Sequence, residues 1–83
     1  MRILYFAWLR ERMNKGSEEL EVPSEVTTIA ELMDWKAAND ESFELAFQDR
    51  EIIRASIDDE LVEHDAKIAD AREIAFFPPM TGG

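Results

Sequence analysis

The chain of 83 residues contains no cysteine. That absence removes a disulfide framework, a thiol nucleophile, a thiolate zinc site and a redox pair, so any sulfur the protein handles must be held on another group. Histidine is nearly absent too. His64 stands between Glu63 and Asp65 with only carboxylates nearby, whereas a zinc site needs several nitrogen or sulfur donors at set spacing. It reads as a solvent-exposed loop residue. Nine scattered Lys and Arg face 19 Asp and Glu, for a net charge of −10. Counterion release at a phosphate backbone requires clustered cations, which excludes nucleic acid and favours a basic protein as partner. No apolar run approaches the roughly 18–20 residues of a membrane span, and the N-terminus lacks the features of a signal peptide, so no membrane is expected and the expected compartment is cytoplasmic. Gly16 is the only glycine before the last two residues, which leaves no glycine-rich phosphate loop.

Conventional catalysis finds little support in what remains. Ser17, Ser24, Ser42 and Ser56 lack the strand-to-helix elbow of a serine nucleophile. The acid pairs Glu18-Glu19 and Asp58-Asp59 read as solvated faces and turns in so acidic a chain, and Trp8 and Trp35 as core or partner contacts.

What is present is enough apolar residue, 46% with 10% aromatic, for one small folded domain. Arg2 to Trp8 is rich in apolar and aromatic residues and reads as a central strand buried on both faces. Leu9 to Asn14 reads as a short helix with Leu9 and Met13 on one face, stopped by Asn14-Lys15-Gly16. Ser17 to Val22 alternates like a half-buried edge strand until Pro23 withdraws a donor. Thr28-Ile29-Ala30-Glu31 fits a capping box, in which the Thr28 hydroxyl accepts from the Glu31 amide and the glutamate reaches back to the cap amide. The helix it opens places Ile29, Leu32, Met33 and Ala37 inward and Glu31, Asp34 and Asn39 outward. After a break at Asn39-Asp40, Phe43, Leu45, Ala46 and Phe47 form a second apolar patch on a short helix. Ile52 to Ile57, a turn at Asp58-Asp59 and Leu61-Val62 predict a hairpin, and Glu73 to Phe77 a last strand ended by Pro78-Pro79. The expected class is α+β, a mixed sheet of about four to five strands packed on one main helix. If the first and last strands lie parallel at its centre, the architecture is a β-grasp.

The end of the chain is its most unusual feature. Phe76-Phe77-Pro78-Pro79-Met80-Thr81-Gly82-Gly83 carries a strand into two prolines and then into both remaining glycines. Two prolines favour an extended path, so residues 1–79 are expected to be the domain and 80–83 a tail carried away from it. Glycines without Cβ pass through narrow channels and let a nucleotide or another backbone come close. The useful group is then the α-carboxylate of Gly83. It is inert until ATP converts it to an acyl-adenylate, after which it accepts sulfur or an amine.

These eight residues resemble the C-terminal signature of the molybdopterin synthase small subunits, ubiquitin-like sulfur carriers of molybdenum-cofactor synthesis. The similarity extends through Ile3-Leu4-Tyr5-Phe6-Ala7 with Arg10-Glu11, Thr28-Ile29 with Leu32, and Ile57 to Val62. Asp58 replaces a usual asparagine, and Asp70-Ala71-Arg72-Glu73 replaces a common Gly-Asp-Glu turn where Ala71 suits a positive φ poorly. The resemblance implies a ubiquitin-like β-grasp fold and a carrier that is not an enzyme alone. In that role a ubiquitin-activating-enzyme-like adenylyltransferase uses ATP on Gly83, no cofactor or metal being bound directly. A sulfurtransferase then makes the thiocarboxylate, and the tail enters the large catalytic subunit, in a heterotetramer, to sulfurate cyclic pyranopterin monophosphate. Gly82 and Gly83 would carry the chemistry, and Phe76, Phe77, Pro78, Pro79, Met80 and Thr81 the partner contacts, with surrounding acids steering toward basic partners. The thiazole-synthesis sulfur carrier, a ubiquitin-like modifier joined to lysines through Gly83, and a binding module that never uses its tail stay open as alternatives.

Overall fold

The computed structural model describes residues 1–79, and the expected tail, 80–83, lies outside the described residues. Strands β1 (Arg2–Tyr5) and β5 (Glu73–Phe77) pair in parallel, Ile3 opposite Ile74 and Tyr5 opposite Phe76. Antiparallel β2 (Ser17–Glu19) flanks β1, while β3 (Arg54–Ile57) flanks β5 and carries β4 (Glu60–Val62) outside it. The order β2-β1-β5-β3-β4 is a mixed five-stranded sheet with the first and last strands central, the β-grasp arrangement expected.

Among the described residues three α-helices cover one face. Ile3, Tyr5, Ala55, Ile74 and Phe76 point from the sheet into a core completed by Leu9, Met13, Ile29, Leu32, Met33, Ala37, Phe43 and Phe47. The two-sided hydrophobicity of β1 and β5 therefore has a different meaning from the one expected: among the described residues no second layer covers the outer face, where Leu4 is half-buried and Arg2 exposed. β1 is also shorter than expected. The chain leaves the sheet at Phe6, and Ala7, at φ 53°, turns it into α1 (Ala7–Met13), because Leu9, Arg10, Glu11 and Met13 are good helix formers and turning there buries Leu9 and Met13. Asn14, at φ 60°, closes this helix in the left-handed conformation.

The main helix α2 (Ile29–Asn39) starts as a variant of the capping box. Thr28 Oγ1 accepts from the Glu31 amide at 3.1 Å, but Glu31 Oε1 accepts from the amide and hydroxyl of Thr27, both at 2.7 Å, one residue earlier than expected. Two further free amides of the first turn, Ile29 and Ala30, donate to the carbonyls of Ala66 and His64. Asp40 caps α3 (Glu41–Ala46), accepting from the amides of Ser42 and Phe43. Phe43 and Phe47 stack at 3.8 Å within the core, whereas Leu45, grouped with them in the sequence, is 57% exposed. Ile52 belongs to a 3-10 turn (Arg50–Ile52) and not to β3. Asp58 and Asp59, at φ 47° and 74°, make the type I′ geometry that suits a two-residue hairpin. Ala71 is not among the positive-φ residues, so the departure at this turn imposes no strain.

Candidate functional site

The site is best built from β5 outward. Alternation along this strand sends Ile74 and Phe76 inward and Ala75 and Phe77 to the outer face. Phe76 has no exposed surface: it stacks on Tyr5 and meets Phe47 edge-on at 5.2 Å. Its expected place in a docking belt is thus corrected, since strand parity makes it a core residue that anchors the tail-bearing strand from beneath. Phe77, Pro78 and Pro79 are half-buried at the surface, and Met80, Thr81, Gly82 and Gly83 lie outside the described residues.

Register assembles an apolar strip on the outer face that the sequence did not announce. Leu61 of β4, Ser56 of β3, Ala75 of β5 and Leu4 of β1 lie opposite one another in a row across the sheet. In the next row toward the tail are Arg54 and Phe77, and Phe6 lies beside Phe77 with its ring edge-on at 6.4 Å and 75°. Leu61 is 63% exposed and Phe6 46%. Ile52, Leu61, Val62 and Pro79 also line an open cleft of about 810 Å³, rimmed by Glu51, Glu63 and Arg54. The signal that points to Phe6 and Leu61 is parity: each is an apolar residue at a position facing away from the helices.

His64 is half-buried instead of free in a loop, because the connection after β4 folds back and brings its Nε2 to 2.7 Å from the Ile53 carbonyl. Among the described residues no group of three or more His, Asp or Glu is arranged to hold a metal ion. No helix there is long and apolar enough to cross a membrane.

At the opposite edge, Glu18 faces the helix side of the sheet because it pairs with Ile3. Its carboxylate accepts from the Tyr5 hydroxyl at 2.5 Å and lies 3.2 Å from the Nζ of both Lys15 and Lys36. Lys36, 7% exposed, also donates to Asp40 at 2.6 Å. Burial alone would raise the Glu18 carboxyl, but the hydrogen bonds from Tyr5, Lys15 and Lys36 outweigh it and hold the group below its ordinary value. Lys36 likewise lowers Asp40, and burial beside Glu18 pushes the Tyr5 phenol far up. This network closes the core edge under β2.

The ThiS family model matches residues 3–83. The molybdopterin synthase sulfur carrier subunit of Escherichia coli (strain K12) is 35% identical over 83 residues, covering 100% of this chain and 99% of that one. Small archaeal modifier protein 1 from Haloferax volcanii superposes with a TM-score of 0.72 at 20% identity, over 96% of this chain and 97% of that one. A putative molybdopterin converting factor subunit 1 from Pyrococcus furiosus gives 0.71 at 20% identity over 95% of each chain. The two structures share the ubiquitin-like β-grasp fold with this protein. With matches in sequence running through both full lengths, the chain belongs to the ThiS family.

Proposed function

We propose that the protein is the sulfur-carrier subunit of a molybdopterin synthase and works in the cytoplasm. The observation that carries this is the 35% identity, without large gaps in coverage, to a protein of that name. With no cysteine in the chain, transferable sulfur has no thiol to ride on, and the Gly83 carbonyl is the group left to hold it. A Gly83 carboxylate oxygen attacks the α-phosphorus of ATP in an adenylyltransferase, releasing pyrophosphate. The outer sulfur of a sulfurtransferase persulfide attacks the acyl carbon and displaces AMP, and a second thiol cleaves the resulting acyl disulfide, leaving a thiocarboxylate on Gly83 and a disulfide on the donor. In the large subunit that sulfur attacks cyclic pyranopterin monophosphate, and water returns the acyl group to a carboxylate. The chain itself binds no cofactor and is not an enzyme alone.

Its part is presentation. Central β5, held on both sides by β1 and β3 and from beneath by Phe76, leads through Pro78 and Pro79 toward Gly82 and Gly83. The strip of Phe6, Phe77 and Leu61 suits a partner that excludes water around the reactive end. The test is intact-mass measurement after incubation with the adenylyltransferase, ATP and a sulfur donor. Gain of the sulfur-for-oxygen mass difference at Gly83, and formation of molybdopterin when the large subunit is added, are expected. Loading of sulfur without any product would favour the thiazole carrier, isopeptide-linked adducts a modifier, and an unchanged mass would end the carrier assignment.

A further inference from the structure

One residue of the outer face does not match its apolar neighbours. Arg54 stands directly opposite Phe77 in the β3–β5 register, and Leu61, paired with Ser56, is its diagonal neighbour on β4. Parity turns it outward with Ser56, because Ala55 between them is buried. Arg2, Lys15, Lys36 and Arg50 each form an ion pair within the chain. Arg54 forms none among the described residues, although Glu51 and Glu63 rim the same cleft. Its guanidinium, on an exposed residue, keeps its donors for water in the free protein.

A surface that closes over Phe77 and Leu61 also closes over the cation between them. Taking a guanidinium out of water is costly unless an anion meets it, and the chain's own acids leave Arg54 without one. The acceptor must then come from the partner, even though the net charge of −10 favours a partner that is basic overall.

We propose that Arg54 is a specificity-determining residue of the docking surface, its guanidinium taking a carboxylate of the catalytic partner beside Phe77. This rests on the outer strip being the docking surface of the carrier. A planar guanidinium can donate to both oxygens of one carboxylate, which fixes direction as well as distance, whereas a lysine supplies charge alone. Apolar contacts at Phe6, Phe77 and Leu61 tolerate sliding, and a paired charge among them sets the register of docking. The partner's face is then mixed, with basic residues meeting the acids of this chain and one Asp or Glu meeting Arg54.

The test titrates the full chain onto the large subunit encoded in the same genome, with thermal unfolding measured on the free chain. It compares wild type with Arg54→Met, Arg54→Lys, Arg54→Glu and, as a control for the strip, Phe77→Ala. Arg54→Met keeps an apolar stem, and it is expected to preserve Tm and to bind about tenfold less tightly, because the partner's carboxylate loses its counter-charge. Arg54→Lys should lose about threefold and Arg54→Glu about a hundredfold. Among single Asp→Asn and Glu→Gln variants of the partner, one should weaken binding and show no further loss when combined with Arg54→Met. Wild-type or tighter binding by Arg54→Met, with Phe77→Ala weakened, would overturn the role of Arg54 and leave the strip in place. A loss in Arg54→Met that no carboxylate of the partner shares would overturn it too. Wild-type binding by Phe77→Ala and Arg54→Met together would remove the docking surface itself and the proposal with it.

Discussion

At the β2 edge, Glu18 gathers the Tyr5 hydroxyl and two lysines beneath a three-residue strand, and the N-terminal amino group adds contacts to Glu19 and the Leu20 carbonyl. At the β4 edge, an equally short strand turns Leu61 to solvent between exposed Glu60 and half-buried Val62. Both strands blunt unwanted pairing by being short and bearing acids. They differ in what they do with the face beside them. Charge closes the β2 side from the helix layer, while the β4 side presents Leu61 on the outer face, in a row that runs through Ser56 to Ala75 beside Phe77. On the proposed reading, stability and recognition are separated across the width of the sheet, and each should be open to perturbation without the other.

The largest effect should come from a change that touches neither edge. One residue added after Gly83 moves the carboxylate about 3.3–3.6 Å along the tail, and sulfur loading should fall on the order of a hundredfold by intact mass while thermal unfolding stays unchanged. Normal loading would mean that Gly83 is not the acceptor. Lys36→Met should cost about 2 kcal/mol by urea denaturation at constant m, less than the roughly 3–5 kcal/mol of a fully buried pair because Glu18 and Asp40 keep some contact with water. Partner affinity should not move, and if it does the two edges are coupled. Leu61→Asp should act in reverse, weakening binding to the large subunit about tenfold, some 1.4 kcal/mol, with the unfolding midpoint preserved.

The smallest effect is in the pH dependence. Glu18 and Asp40 titrate below their ordinary values of 4.5 and 3.8 in the folded chain, so on acidification the unfolded state takes up protons first. Their stabilisation is present above those ordinary values and is lost as pH falls through the depressed folded ones. Glu18→Gln should be less stable than wild type at neutral pH by under about 1 kcal/mol, and the gap should narrow below pH 4.5, measured as urea midpoints. A gap that widens with acid would reverse the assigned sign.

Local pattern made much of this molecule legible. The apolar content of residues 2–8 and 73–77 placed both strands at the centre, though the first ends at Tyr5, the spacing of Ile29, Leu32, Met33 and Ala37 gave the buried face of α2, and Asp58-Asp59 marked the hairpin. What stayed hidden depends on contacts distant in sequence. Lys36 is buried only because β2 delivers Glu18 to it, and His64 is fixed by a carbonyl eleven residues away. An apolar run cannot say whether its second face is covered by protein or left for a partner, which is why Phe76 was expected outside and Phe6 inside. Strand parity, counted from the paired register, separates the two cases.

The hairpin turn has a consequence at the far end of β5. Asp58 accepts from the amides of Arg72 and Glu73 and donates its own amide to the Glu73 carbonyl, which clips the start of β5 to the tip of the β3–β4 hairpin. That clip works as a ruler. With Glu73 fixed, the number of residues spent inside the sheet is fixed, and so is the length of chain left beyond it. A slip of one residue would shift everything downstream by about 3.3 Å and exchange the faces of Phe76 and Phe77. In the proposed carrier role, the reach of the Gly83 carboxylate would thus be metered by an aspartate at the opposite end of the strand.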